Sequence, residues 1–411
     1  MSTARQAPDI LSPEFASDPY PAYAVMREEQ PLIWHEATQS YIISRYDDVE
    51  RVFRVHDGQL RLAAGARPRQ DDPPAQRREH AVRRALVAPA FRRSGVPAFR
   101  GNDLQEKFLP VIERNSRELI DAFRQSGSVD IVSDYATRFP GQRHRGHART
   151  RQDRPRRFHR WYTAVIAFLG NLSGDPEVTA AGERTRVEFA EYMLLIIRER
   201  RDNLGDDLLS TLCAAEVDGV RMTDEDIKAF CSLLLAAGGE TTDKAIASIL
   251  VNLLLDPDQL AAVRADRGLI PAAFTETLRY TPPVHMIMRQ AATEVEVSGG
   301  TIPKGATVTC LIGAANRDER RYREPDRFDI FRADLNTTSA FSAAADHLAF
   351  ALGRHFCVGA LLAKSEVEIG LNRLLDAMPD LRLADGFDPA EQGVFTRGPQ
   401  SLPVRLTPVA G

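Results

Sequence analysis

Apolar positions recur at three- and four-residue spacing through much of this 411-residue chain, the mark of helices that bury one stripe. Gln105–Gln125, Phe158–Leu169 and Thr185–Arg201 carry that period and are predicted as helices. The longest run goes from Thr223 to about Leu255. Thr223 and Asp226 have capping-box spacing at its start, and Asp256-Pro257 stops it. A helix of that length measures roughly 50 Å at about 1.5 Å per residue, enough to cross a whole domain. Ala272–Tyr280 is a shorter helix closed by Thr281-Pro282-Pro283. Val295–Val297, Thr301–Ile302 and Thr307–Leu311 are β-branched runs parted by Gly299-Gly300 and Pro303-Lys304-Gly305, which reads as a small hairpin, and Tyr41–Ser44 is β-like near the start. Asn316–Ala349 has no period and reads as coil; Ala360–Ala377 is helical again. The expected class is mainly α with small β-sheets.

Composition narrows the picture. At 43% hydrophobic and 27% charged residues the chain is an ordinary globular one. No window approaches the roughly 18 apolar residues of a membrane helix, and the polar, proline-punctuated Met1 to Tyr20 argues against a signal peptide or anchor. Cys213, Cys231, Cys310 and Cys357 are scattered without a CxxC pair. That spacing favours a reducing compartment, the cytoplasm, and disfavours a zinc or iron–sulfur site made of thiolates alone. The net charge of −4 hides an uneven spread, for residues 61–160 hold 23 basic against 11 acidic side chains. A solvated helix face explains such a block more simply than nucleic acid does.

The chemistry is concentrated in Phe350-Ala351-Leu352-Gly353-Arg354-His355-Phe356-Cys357-Val358-Gly359. A lone cysteine is usually a small buried hydrophobe. Here two glycines bracket the sulfur and let backbone N–H groups approach it, and Cys357 stands just before a helix, whose N-terminal dipole favours an anion. Those surroundings, with a metal, favour thiolate, the axial ligand that pushes electron density toward O–O cleavage in haem proteins. A second cluster, Ala236-Ala237-Gly238-Gly239-Glu240-Thr241-Thr242, interrupts the long helix. Two adjacent glycines cost about 1 kcal/mol each in a helix. A widened turn offsets that by giving room to small ligands while Glu240 and Thr241 relay protons. Glu276 and Arg279 share a helical face at i, i+3 and can pair.

These segments, from about Asp18 to Val404 and in the same order, resemble the cytochrome P-450 family: F-x-x-G-x-[HR]-x-C-x-G at the cysteine loop, ExxR at Glu276 to Arg279, and [AG]-G-x-[DE]-T-[TS] at Ala237 to Thr242. The resemblance implies one domain over residues 1–411, with a haem b between the long helix and the cysteine-loop helix. It makes Cys357 the iron ligand and His355 and Arg289 propionate contacts. His80 and Arg84, an H-x-x-x-R pair, join them, although Ala75-Gln76-Arg77-Arg78 separates Asp72-Pro73-Pro74 from Glu79 where the family is contiguous. Glu240 and Thr241 become the catalytic acid and hydroxyl, and the ExxR pair meets an arginine of the following coil, matched by Arg327. The implied activity is monooxygenation: one O2-derived oxygen atom enters an apolar small molecule, with electrons from NAD(P)H through an external ferredoxin and its reductase. Peroxide-driven or coupling chemistry, or a non-catalytic haem sensor, are the alternatives. Leu235, Ala236, Val284, Met286, Ile287, Val394 and Phe395 match family pocket positions. No membrane or nucleic-acid partner is implied.

One stretch departs from the family. Residues 141–157 hold seven arginines where the family has an apolar helix, and they supply half of the basic excess above. Dropping the first base of the Gly141 codon permits Ala-Asn-Val-Ile-Ala-Asp-Met-Leu-Gly-Leu within codon degeneracy, which restores the family pattern. A shift of reading frame in the gene explains the run better than a nucleic-acid-binding insert, which nothing else in the chain supports.

Overall fold

The capping box forms. Thr223 Oγ1 accepts the Asp226 N–H and the Asp226 carboxylate accepts the Thr223 N–H, both at 3.1 Å, so two helix-end donors are satisfied reciprocally. The structure, a computed structural model, describes residues 7–54, 60–62, 104–139, 154–205, 207–217, 220–291 and 293–407. Within them the helices are α1 (Pro13–Ser17), α2 (Tyr20–Glu29), α3 (Tyr46–Arg54), α4 (Leu109–Phe123), α5 (Arg154–Leu169), α6 (Pro176–Asp202) and α7 (Leu208–Ala214). The long element follows as α8 (Asp224–Gly238) and α9 (Glu240–Leu255), and then come α10 (Pro257–Ala265), α11 (Ile270–Tyr280), α12 (Ile312–Ala315) and α13 (Ala360–Ala377).

Strands β1 (Leu32–His35), β2 (Ser40–Ile43), β3 (Leu60–Leu62), β7 (Met286–Ala291) and β10 (Thr307–Leu311) form one five-stranded sheet in the order β1-β2-β10-β7-β3. Only the β2–β10 pairing is parallel. A second sheet orders β11 (Arg382–Leu383), β14 (Pro403–Arg405) and β4 (Ser128–Asp130). Two-stranded pairs join β5 (Glu216–Val217) to β6 (Val220–Arg221), β8 (Val295–Val297) to β9 (Gly300–Ile302), and β12 (Glu391–Gln392) to β13 (Gly398–Pro399).

The expected hairpin is therefore only β8 and β9; Thr307–Leu311 leaves it to pair with β2 and β7. α6 starts earlier than its apolar period because its first turns are exposed and silent in hydrophobicity. The Asp175 carboxylate fixes that start by accepting the N–H groups of Glu177 at 2.7 Å and Val178 at 3.2 Å. α4 begins at Leu109, after a widened turn at Leu104–Phe108, with Pro110 in its first turn, where a missing N–H costs nothing.

Every residue of α9 from Thr242 to Leu253 is buried. The helix packs on α11, α13 and β13, and Ile246, Ile249, Leu250, Phe274, Leu371 and Leu374 form the central cluster. Burial on all sides gives α9 an apolar residue on nearly every face.

α11 anchors the coil that follows. Arg279 donates twice to Glu276, at 2.8 and 2.7 Å, and also to the carbonyls of Asn316, Pro325 and Arg327. The third member of the network is Arg332, whose Nε lies 3.0 Å from Glu276 Oε2 with a side chain 6% exposed. This corrects the expectation of Arg327, whose side chain is 63% exposed and pairs with Glu324 at the surface. Arg327 contributes only its carbonyl.

Candidate active site

Backbone bonds hold the loop before α13. Cys357 N–H donates to the Phe350 carbonyl at 2.9 Å and Phe356 N–H to that of Gly353 at 3.2 Å, across a short turn at Gly353–His355. Two of its residues take positive φ, Ala351 at 52° and Gly353 at 66°. At Gly353 close approach requires glycine as well, since a Cβ there would lie 2.8 Å from the Phe53 carbonyl oxygen. Burial pushes the Cys357 thiol up, and the N–H groups of Gly359 and Ala360, which point at the sulfur, oppose that shift. His355 lies partly buried two residues before it.

β7 brings Arg289 to the same region. Its guanidinium sits 5.4 Å from the centroid of the Phe53 ring, and Phe53 is the residue whose carbonyl faces Gly353. Arg289 is 3% exposed, burial lowers its pKa, and it forms no ion pair among the described residues. A buried guanidinium of this kind is costly until an anion neutralises it. His80 and Arg84 lie outside the described residues.

α8 and α9 meet at Gly239. The Thr241 hydroxyl donates to the Ala237 carbonyl at 2.8 Å and the Thr242 hydroxyl to that of Gly238 at 3.3 Å. Leu233, Ala237 and Thr241 stand at four-residue intervals, Leu233 is 61% exposed, and Ala237 is exposed as well. They mark the face open to a ligand. The Glu240 carboxylate is turned elsewhere: Oε1 accepts from the Thr396 hydroxyl at 2.6 Å and lies 3.3 Å from Lys244 Nζ. Glu240 and Thr241 are thus adjacent in sequence but engage different partners. The same face of α9 continues through Ser248, which donates to Glu391 at 3.2 Å, and Asn252, which donates to Thr281 at 3.0 Å. Asp243, one turn beyond Gly239, accepts the Tyr162 hydroxyl at 3.0 Å, and burial pushes its carboxyl up to about 7 against the pull of Lys244.

Lys244 and Thr396 were not legible as site residues to equal degrees. Lys244 is one turn from Glu240, a spacing that signals a pair. Thr396 carries no local signal; it arrives because Val284 and Thr396 form a β-bridge and His285 N–H donates to the Phe395 carbonyl at 2.9 Å. That bridge does join the expected pocket segments Val284–Ile287 and Val394–Phe395. Three expected pocket residues point away. Met286 is fully buried beside Tyr23 and Ile42, Leu235 packs on the cluster of Trp161 and Phe189, and Ala236 is 4% exposed. The helical phase puts Leu233 and Ala237 on the open face instead.

A thiol with two N–H groups aimed at it, a buried guanidinium that meets no carboxylate among the described residues, and an open hydroxyl-bearing face fit an iron macrocycle with carboxylate arms. Comparisons agree. The Cytochrome P450 family model matches residues 176–378. The chain is 37% identical to pulcherriminic acid synthase of Bacillus subtilis (strain 168), with 98% of each chain covered. It is 30% identical to 6-deoxyerythronolide B hydroxylase of Saccharopolyspora erythraea, over 97% of this chain and 98% of that one. The solved structure of cytochrome P450 CYP109Q5 from Chondromyces apiculatus superposes with a TM-score of 0.79 at 32% identity, covering 98% and 99% of the two chains.

Proposed function

This chain belongs to the cytochrome P450 family and is a haem monooxygenase, and we propose that Cys357 holds its haem iron while Glu240 and Thr241 manage the protons of the reaction. The observation that carries the reading is the Cys357 sulfur facing two N–H groups near a buried guanidinium with no carboxylate partner among the described residues. Bound haem b would supply the redox chemistry, activating O2 with two electrons so that one atom enters a substrate C–H bond and the other leaves as water.

The residues prepare for that chemistry. Arg289 and His355, with His80 and Arg84 of the segment outside the described residues, neutralise the two propionates. Burial disfavours a free Cys357 thiolate, and a coordinating metal reverses this by deprotonating the thiol outright. Thr241 presents its hydroxyl on the open face, within one turn of the Ala237 carbonyl it bonds. Glu240, half-buried and held by Thr396 and Lys244, is the acid that resupplies that hydroxyl with protons. Leu233, Ala237, Val284 and Ile287 line an apolar approach, so the substrate is a mainly apolar small molecule. Electrons come from NAD(P)H through a ferredoxin and its reductase in the cytoplasm, and residues 1–411 act as one domain. The compounds handled by the pulcherriminic acid synthase and the 6-deoxyerythronolide B hydroxylase head the substrates to screen by haem spin-state change.

Carbon monoxide tests the ligand. The reduced adduct is expected to show the red-shifted Soret band of haem-thiolate proteins, and Cys357→His is expected to abolish it. Persistence of that band in the variant removes Cys357 from the iron.

A further inference from the structure

The break between α8 and α9 is built against a ring from another helix. Tyr162, on α5, is 1% exposed, and a Cβ added at Gly239 would stand 2.7 Å from its Cγ. That is closer than carbons pack, so the ring fills the space a side chain at this position would need. Its neighbour Gly238 differs, because a Cβ there would meet nothing within 4 Å. Close approach therefore demands only one of the two glycines. The hydroxyl of Tyr162 donates to Asp243 Oδ2 at 3.0 Å, and His159 packs edge-on against its ring at 5.0 Å. Gly239 and Asp243 flank Glu240 and Thr241, so one side chain grips α9 on both sides of the acid and the hydroxyl.

We propose that Tyr162 is a positioning residue for the proton-delivering turn: its ring, wedged against Gly239 and pinned by Asp243, keeps α8 and α9 from joining through Gly239 as one regular helix. The carbonyls of Ala237 and Gly238 lie four residues before Thr241 and Thr242, the reach of a threonine hydroxyl bonding back along a helix. Here both receive threonine hydroxyls, which fixes where Thr241 points. Without the ring the break at Gly239 closes, α8 and α9 realign, and Thr241 shifts relative to the open face. This inference rests on reading Glu240 and Thr241 as the proton carriers.

The test uses the full-length, haem-loaded protein in two assays. Amide hydrogen exchange follows the segment from Ala237 to Asp243. Turnover without added substrate, driven by NADPH and a surrogate ferredoxin–reductase pair, gives the share of electrons recovered as hydrogen peroxide. Tyr162→Leu is expected to slow exchange across the segment by about tenfold, as helical bonds form, and to raise the peroxide share severalfold. Tyr162→Phe keeps the ring and loses only the bond to Asp243, so it is expected to shift both readouts by less than half as much as the leucine variant, a partial rescue that simple loss of packing does not give. Tyr162→Met fills similar volume without a flat face and replaces the leucine variant if that variant does not accumulate. Exchange unchanged in Tyr162→Leu or Tyr162→Met overturns the proposal, as does a phenylalanine variant that behaves like them. If exchange responds while Thr241→Ala leaves the peroxide share unchanged, the wedge stands and the proton-relay reading falls.

Discussion

Two residues of the cysteine loop share a backbone conformation and differ in consequence. Ala351 is an alanine at φ 52° and Gly353 a glycine at φ 66°. The left-handed region costs a side chain about 1–2 kcal/mol, which the loop evidently sustains at Ala351. At Gly353 the Phe53 carbonyl stands in the way as well, so Gly353→Ala is expected to cost at least about 2 kcal/mol and to release haem, measured by thermal melting and by the haem-to-protein absorbance ratio. A stable, fully loaded Gly353→Ala protein removes the close approach as the reason for glycine. On the other side of the site, Thr241→Ala is expected to bind haem and consume NADPH while diverting most electrons to peroxide, roughly a tenfold loss of coupling. Glu240→Gln is expected to slow turnover with substrate affinity unchanged. The cysteine loop and the acid–hydroxyl pair were legible in the sequence because each is a short local run. Thr396 was not, since a contact between residues so far apart leaves no trace in spacing.

Among the elements, helices with one buried face announce themselves and helices with an exposed start do not, which is why α6 was read short. The coil after α11 shows the opposite limit: two arginines five residues apart, Arg327 and Arg332, serve equally well on paper. Only burial chooses between them. Arg332→Ala leaves Glu276 facing Arg279 with one cation lost from a site 1% exposed, and is expected to destabilise by roughly 3–5 kcal/mol. Arg327→Ala removes an exposed pair at 3.9 Å and is expected to cost well under about 1 kcal/mol. Chemical denaturation of the two variants decides; equal losses contradict the assignment. The same phase problem misplaced Leu235 and Ala236, because α8 and α9 are apolar on several faces and periodicity does not say which one meets the ligand.

For the whole molecule, the buried histidines set the acid limit. Burial lowers His347 from 6.5 to about 4, and His285 also lies well below its usual value, again because burial penalises the cation. The folded state therefore binds fewer protons than the unfolded chain as pH falls below about 6.5. Stability is complete above that point and drains away down to about pH 4, by on the order of 3 kcal/mol for His347 alone. Urea melts at about pH 7 and about pH 5 are expected to show this loss, and His347→Leu to make it shallower; an identical slope in the variant absolves His347. The arginine-rich run falls mostly outside the described residues, so its legibility is in the sequence alone. Arg157, at its end, stacks 4.5 Å from the Trp161 ring, where a cation is tolerated at the edge of the cluster.

The first fifty residues depend on partners from far along the chain. Arg397 donates to the carbonyls of Ala16 and Ser17, Arg317 lies between the rings of Tyr20 and Tyr280 at 3.6 and 3.8 Å, and β2 pairs with β10. None of those partners exists until the ribosome has made most of the polypeptide. At about 5–20 residues per second, the first strands wait on the order of tens of seconds for the residues that complete them. During that interval Ile33, Ile42 and Ile43 sit on the two-stranded β1–β2 pair without the core that buries them, so the yield of folded protein is expected to respond to translation speed and to a holding chaperone, measured by the soluble fraction in cell-free synthesis.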